Sequence, residues 1–471
     1  MKGRGESVSL SRAAGPKETT PGGTSLPCAL IVLDGLGDRP HPDLGGKTPL
    51  EAARTPNLDR LAARGTLGNV VTVGPGIAPE SDAGVLGLLG YDPRTDSPGR
   101  GVLEAEGVGL HVEPGQVAFR FNFATVGPEN VVKDARVGRS LSTEEANELA
   151  EAITRADLLG PEGVEARAQA TVGHRGVLRL APRSGSALSP EVSNSDPYYE
   201  KIGGLGHAVK PQRPQIPRVK PLDGSEGAAR TAGLVNLFVD RVPAVLRDHP
   251  VNVRRRASGG LLEANHLLLR DAGTAPRGLR TFRDRWGTGG AALTEMPVER
   301  GLARLLGLED VFVGPVDPAR RTEGYRYRAQ RCRELLAKQP FLYIHLKGPD
   351  EPGHDGDAQK KREIVDALDE HFFGPFLEGL DLQRCRLLVT ADHATPCILK
   401  GHSDDPVPVL LVGAPDLADP SRRDAPRKFS EATCEAGPLK GLLGRDLLDH
   451  LFLRGQAGRG AVPHAPARSP P

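Results

Sequence analysis

Aromatic residues are scarce in this chain, at 4% of 471 residues. That leaves little material for a surface that stacks on nucleic-acid bases. An excess of either charge is missing too: 61 Lys and Arg face 60 Asp and Glu, for a net charge of +1. No global field therefore points to nucleic acid or an anionic membrane as a partner. No apolar run approaches the roughly 20 residues of a membrane span. The N-terminal segment is basic in places but lacks the apolar stretch of a secretory signal. Cysteines number five, an odd count, and Cys28, Cys332, Cys385, Cys397 and Cys434 form no regular framework. Reduced thiols in a cytoplasmic protein are the expectation. Apolar content is low at 38%, and the chain is too long for one compact core. At roughly 150 residues per unit it should form two or three.

What is abundant is glycine (58) and proline (42), which implies many loops. Residues 1–26 and the tail from 455 to 471 are polar and rich in loop formers, and are expected to be disordered. Between them, the stretch from Phe341 to His402 organises the chain. Two apolar runs, Phe341–Leu346 and Leu387–Thr390, read as buried strands. The first leads into Asp350 and His354, the second into Asp392 and His393, with His402 a short loop later. Ligands of open parallel sheets bind at the carboxyl ends of strands, and carboxylate with imidazole is a set that suits Zn, Mn or Fe.

The run Cys28–Leu33 reads as another buried strand, ending in Asp34. A carboxylate there is costly unless it is paired or binds metal; alternatively, Asp34-Gly35 is a turn pair. A helix should follow, with Thr55 as N-cap, Pro56 at its first position and Gly65 at its end. Residues 67–73 read as a strand. Ser81 then starts a short helix, where it is either a simple N-cap or placed to meet a bound phosphate. From about residue 114 the pattern turns to period-two alternation at Val117–Phe123, Val177–Leu180 and His266–Leu269, the mark of an antiparallel sheet. Ser142–Arg155 reads as a helix and 183–223 as a long loop. Arg120, Arg136, Arg139, His174, Arg175 and Arg254-Arg255-Arg256 lie in this region. Most such charge is solvated surface, but a few residues on one face could clamp a phosphate or carboxylate. Near 290 the α/β pattern returns, with helices at Gly301–Leu306, Tyr325–Leu336 and Lys360–Phe373. Val407–Val412 reads as an edge strand because of its prolines, and 438–453 as a last helix. The arrangement is that of a single α/β unit, residues 27–113 and 290–454, with 114–289 inserted into it.

Asp34, Ser81, Asp350, His354, Asp392, His393 and His402 together exceed what one metal needs. Two metals roughly 3.5–4 Å apart fit the count and suit phosphoryl chemistry. The motifs that carry these residues follow one another in a specific order. They are Val32-Leu33-Asp34-Gly35, Thr48–Ala53, Ser81-Asp82-Ala83-Gly84, Leu88–Pro93, Gly99-Arg100-Gly101, Phe119–Thr125, Gly173-His174-Arg175-Gly176, Asp350–Asp357, Thr390-Ala391-Asp392-His393 and His402–Pro408. In this order the chain resembles the cofactor-independent phosphoglycerate mutases of the archaeal type, within the alkaline phosphatase superfamily, over roughly residues 28–453.

The resemblance implies an alkaline-phosphatase-like α/β fold, with a mostly parallel sheet, helices on both faces and an inserted α+β unit. It implies one divalent ion on Asp350, His354 and His402, and a second on Asp34, Ser81, Asp392 and His393, with Ser81 as the phosphorylated nucleophile. The ions would be Mn, Zn, Mg or Co, without 2,3-bisphosphoglycerate. His174 and Arg175, with Arg120, Arg136 and Arg139 as weaker choices, would hold a small phosphoglycerate substrate, and a homo-oligomer is compatible with the family. One departure is Glu80, where the family leads to an expectation of glycine. Two other readings compete: a metal-dependent phosphatase or phosphonate hydrolase using the same residues, and a metal-stabilised protein without turnover.

Overall fold

The run Cys28–Leu33 folds as strand β1 and is buried along its whole length. A strand covered on both faces reads as continuously apolar, as this one does. The computed structural model describes residues 26–202, 205–276, 278–418 and 427–453. Apart from Leu26, the two expected tails lie outside the described residues. In chain order the strands after β1 are β2 (Thr66–Val71), β3 (Val117–Val126), β4 (Val132–Asp134), β5 (Val164–Ala170) and β6 (Arg175–Pro182). They continue with β7 (Tyr199–Ile202), β8 (Leu205–Ala208), β9 (His266–Gly273), β10 (Ala291–Thr294) and β11 (Glu309–Phe312). The last four are β12 (Phe341–Leu346), β13 (Arg386–Thr390), β14 (Val407–Val412) and β15 (Leu439–Leu443).

Eight strands form one sheet in the order β11-β10-β12-β1-β13-β14-β2-β15. Strand β1 is parallel to β12 and β13, β10 to β11 and β12, and β15 to β2. Of the eight, β14 alone is antiparallel to its neighbours. The sheet is therefore mostly parallel, with helices packed over it, as expected from the sequence. A second, antiparallel sheet joins β4, β3, β6 and β5, with β9 paired to β3. Strand β5 shows why it alternates: Val164, Ala166, Ala168 and Ala170 are buried, while Glu165, Arg167 and Gln169 are more exposed. The buried face meets helices Thr143–Arg155 and Glu226–Leu246 in an apolar cluster of its own.

The two sheets meet across helix Arg100–Gly107. A methyl group on Gly101 would lie 2.5 Å from the Ala118 carbonyl oxygen of β3 and 2.6 Å from that of Asp271 in β9. On the other side, one on Gly107 would lie 1.8 Å from the Pro297 oxygen. One on Gly301, in helix Pro297–Leu305, would lie 1.7 Å from the Leu103 oxygen. Glycine on both helices lets the backbones touch, so this joint is set by the absence of side chains.

Several local expectations need correction. Strand β14 is interior, despite Pro408. Its ladder with β13 ends at Val389↔Leu410, so no β13 partner is paired at the proline. Residues 438–453 hold a strand, β15, and only then a short helix, Leu447–Leu451, because β2 offers a parallel edge. The 183–223 loop contains the β7–β8 hairpin. Helix Lys360–Phe373 is α-helical over Ala358–Leu368 and then widens to a π-turn, Asp369–Phe373. That turn has a purpose. Thr55 makes no side-chain capping bond to the helix that Pro56 begins. Asp369 does so from a distance, accepting from Asn57 N at 3.1 Å and Leu58 N at 2.8 Å.

Gly301→Ala should cost at least about 2 kcal/mol, since a backbone carbonyl cannot yield as a side chain can. Gly233→Ala is the contrast: its methyl would meet nothing within 4 Å in helix Glu226–Leu246, so stability should rise by about 0.5–1 kcal/mol. Urea unfolding midpoints of the two variants should move in opposite directions.

Candidate active site

Strands β12, β1 and β13 are adjacent and in register, with Leu33 opposite Leu346 and Val32 opposite Thr390. They end along one edge, and each hands over to an acidic loop. Asp34 follows β1, Lys347 and Asp350 follow β12, and Asp392 and His393 follow β13. Ser81 arrives from β2 at the start of helix Ser81–Leu88. Glu80 is the N-cap and Ser81 the first helical residue, and no side chain makes a capping bond there. Ser81 is therefore not spent as a cap. Gly84 lets this helix sit on the metal-type loop, since a methyl there would lie 2.3 Å from the Asp392 carbonyl oxygen.

The side chains converge on His393. Its Nε2 lies 3.2 Å from Ser81 Oγ, 3.4 Å from Asp392 Oδ2 and 3.6 Å from Asp34 Oδ1. Its Nδ1 is 3.0 Å from the Thr395 hydroxyl, which donates to Asp350 Oδ1 at 2.7 Å. Burial lowers the His393 pKa, so its ring is neutral at pH 7. A second group abuts the first. Asp350 Oδ1 lies 3.5 Å from both His354 Nε2 and His402 Nε2, and those two nitrogens are 3.1 Å apart. His402 points Nδ1 at the Pro79 carbonyl, 2.8 Å away, which turns Nε2 inward. The rings of His393 and His402 stack with centroids 3.8 Å apart. All seven of the proposed metal-ligating residues thus fall in one cluster.

The sequence reading passed over several side chains that stand with them. His345, fully buried, faces Asp392 Oδ2 at 3.5 Å and Asp34 Oδ1 at 3.7 Å. Lys347 Nζ lies 3.0 Å from Asp34 and 3.1 Å from Glu299, and Tyr343 OH is 2.9 Å from His345 Nδ1. Burial and the Lys347 charge pull the His345 pKa down, but Glu299, Asp392 and Asp34 outweigh them and raise it to about 10. Burial works against the charged form of Asp34, yet Lys347 and His345 hold it well below the ordinary carboxylate range. The available signal was a histidine inside an apolar run with a lysine just past its end.

This donor set fits a divalent cation. Asp34 Oδ1 and Asp392 Oδ2 are buried without a hydrogen-bond partner, and both face the same imidazole. A buried carboxylate oxygen left so is expensive, and a cation between the two would remove the cost. Asp350-His354-His402 and Asp34-Asp350-His393 each bring three ligand atoms within 4.8 Å of one another, and Asp34-His345-Asp392 does the same.

From Ser81 a ladder of charges runs into the second sheet. Glu80 pairs with Arg100 at 2.9 Å, Arg100 with Glu104 at 3.4 Å, and Glu104 with Arg120 at 2.8 Å. Arg120 continues to Asp271 at 3.1 Å. Arg120 is thus buried and doubly paired, whereas Arg136, Arg139 and Arg175 are exposed. His174 is partly buried beside these three: burial first, and then the Arg175, Arg136 and Arg139 charges, lower its pKa to about 4. Arg254 and Arg255 pair instead with Glu148 and Glu145 of helix Thr143–Arg155, and Arg256 with Glu263 in the loop before β9.

A family model described as 2,3-bisphosphoglycerate-independent phosphoglycerate mutase matches residues 62–252. A protein of that name from Aeropyrum pernix is 43% identical over 418 residues, covering 88% of this chain and 96% of the relative. This chain belongs to that family. Another member, from Methanopyrus kandleri, is 40% identical over 426 residues, covering 90% of this chain and 94% of its own. The solved cofactor-independent phosphoglycerate mutase of Thermoplasma acidophilum is 31% identical with a TM-score of 0.59, covering 91% of this chain and all of that one. The resemblance read from the motifs thus extends over most of the chain. Among the described residues, no helix is long and apolar enough to cross a membrane, and all five thiols are free and buried.

Adding Mn²⁺ to exhaustively chelated protein should raise Tm, by the equivalent of about 2.7 kcal/mol at 100 times Kd. Asp34→Asn combined with Asp392→Asn should remove most of that shift. An equal Mn²⁺ shift in this variant and the parent would overturn the placement of a cation between the two carboxylates.

Proposed function

We propose that this chain interconverts 3-phosphoglycerate and 2-phosphoglycerate through a phosphoserine at Ser81. The observation that carries this reading is the position of Ser81 Oγ. It lies 3.2 Å from His393 Nε2, at a helix start, where Asp34 and Asp392 converge. Asp350, His354 and His402 would hold one divalent ion, and Asp34, Asp392, His393 and Ser81 the other; Mn, Zn, Mg and Co each suit parts of this set. Bound divalent charge lowers the pKa of a serine hydroxyl and screens phosphoryl oxygens.

The chain's own groups do the rest. Ser81 Oγ loses its proton and forms a bond to phosphorus as the bond from phosphorus to the glycerate oxygen breaks, and that oxygen gains a proton to become a hydroxyl. Unbonded N–H groups in the first turn of helix Ser81–Leu88 favour the phosphoryl oxygens. The Glu80 carboxylate beside the nucleophile would repel a phosphate if it stood alone, but Arg100 offsets its charge. The glycerate must then stay while its other hydroxyl turns toward the phosphoserine. Residues 114–289 are the natural clamp, with Arg175, Arg136 and Arg139 as its cationic face, His174 among them as an uncharged imidazole, and Arg120 braced behind by Glu104 and Asp271. Residues 27–113 and 290–454 form the catalytic unit. A phosphatase would share the serine and the ions; the unpaired cations of the second sheet favour retention of the dephosphorylated product over its release.

The direct test is formation of 2-phosphoglycerate from 3-phosphoglycerate, coupled to enolase, without 2,3-bisphosphoglycerate and with free phosphate measured alongside. Phosphate release without 2-phosphoglycerate would replace the mutase reading by the hydrolase. Ser81→Ala should lower turnover by orders of magnitude while leaving the fold intact. Retention of more than about a tenth of the rate, only roughly 1.4 kcal/mol, would remove Ser81 from the chemistry.

His174→Ala and Arg175→Ala should shift the balance toward hydrolysis. A charge-assisted contact is worth about 1.5–3 kcal/mol, so the ratio of phosphate to 2-phosphoglycerate should rise by roughly tenfold. An unchanged ratio with unchanged KM would place the clamp elsewhere.

A further inference from the structure

Thr395 lies two residues past His393 and is fully buried. Its hydroxyl touches one residue from each of the two candidate metal groups. It donates to Asp350 Oδ1 at 2.7 Å, the oxygen that also faces His354 and His402. Having given its proton there, it can only accept from His393, so the 3.0 Å contact is an Nδ1–H donating to Thr395 Oγ1. That leaves His393 Nε2 as a bare lone pair toward Ser81, Asp34 and Asp392. One hydroxyl therefore selects the ring tautomer of one group and aims a carboxylate of the other.

The place of Thr395 is built from both sides. A methyl on Gly35, in the loop after β1, would lie 2.7 Å from Thr395 Oγ1. One on Gly353, in helix Asp350–Asp355, would lie 2.5 Å from the Thr395 carbonyl oxygen. The backbone is then pinned: Thr395 N donates to Gly37 O at 3.0 Å, and the buried Lys361 ammonium donates to Thr395 O at 2.9 Å. Lys361 also reaches Gly37 O at 3.2 Å and Asp38 Oδ2 at 2.8 Å. A buried lysine costs more than it returns unless it is fully paired, and this one spends its three donors on the loops that carry Asp34 and His393.

We propose that Thr395 is a positioning residue that couples the two candidate metal groups, so that the ligand geometry of each depends on the same hydroxyl. The proposal rests on the metal reading given above. Groups that orient ligands in this way typically contribute 10–100-fold to metal affinity.

The test is Mn²⁺ titration of the chelated full-length protein, followed by calorimetry and by the electron paramagnetic resonance of free Mn²⁺. Wild type, Thr395→Val and Thr395→Ser are compared, with thermal melts in chelator. The valine variant keeps the shape and the carbonyl held by Lys361 but lacks the hydroxyl. It should bind Mn²⁺ about 10–100-fold more weakly at both positions, with a melt in chelator that stays cooperative but is lowered by the buried His393 Nδ1–H left without its acceptor. The serine variant should restore the affinity. Wild-type affinity in the valine variant overturns the proposal, as does a serine variant as weak as valine, which would assign the effect to the methyl group. Wild-type protein that takes up no Mn²⁺ overturns the metal reading itself and this proposal with it.

Discussion

Three carboxylates, Asp34, Asp350 and Asp392, converge where the strands end, and the rest of the molecule answers to that constraint. Charges of one sign cannot share a dry site without compensation. The protein supplies part of it from beneath. His345 and Lys347 rise from β12 between Asp34 and Glu299, and Tyr343 steadies the imidazole. His354, His393 and His402 add imidazole nitrogens around the carboxylates. Asp34 Oδ1 and Asp392 Oδ2 remain without a hydrogen-bond partner, and that residual demand supports the reading of the centre as a candidate cation site.

The same constraint explains how the proposed nucleophile is delivered. Ser81 does not belong to the strands that carry the acids. It comes from the far side of the sheet, after β2, and is brought in by close backbone contact at Gly84. Behind it, helix Arg100–Gly107 does two things at once. Its glycines seat it between helix Pro297–Leu305 and strands β3 and β9, and its Arg100 and Glu104 carry charge pairing from Glu80 to Arg120. Packing and electrostatics are therefore joined in one element, so movement of the second sheet relative to the first would be felt beside Ser81.

Much of this was legible in the residues alone. Short apolar runs ending in acids are local features, and they located β1, β12, β13 and the candidate ligands that follow them. Alternation located β3, β6 and β9. The misreadings share a cause: propensity describes a segment, whereas its neighbours decide its state. A proline forces an edge only where a neighbouring strand needs the N–H it lacks, and the β13 ladder stops short of Pro408. Residues 439–443 became a strand because β2 had an unpaired edge. Thr55 lost the capping role to Asp369, more than 300 residues away in the chain.

The sequence by itself determined the central strands β1, β12 and β13 of the main sheet, the antiparallel character of the middle segment and the identity of the seven convergent side chains, because each is written in a local pattern of apolar and polar residues. Tertiary structure alone decided that Ser81 is free of capping and faces His393, that Glu80 is neutralised by Arg100, and that Arg120 is braced while Arg175 is open. It alone brought in His345, Lys347, Lys361 and Thr395. These are facts about distance between segments remote in the chain. A buried charge or hydroxyl takes its role from the partner that folding places within about 3 Å of it, and no local pattern names that partner.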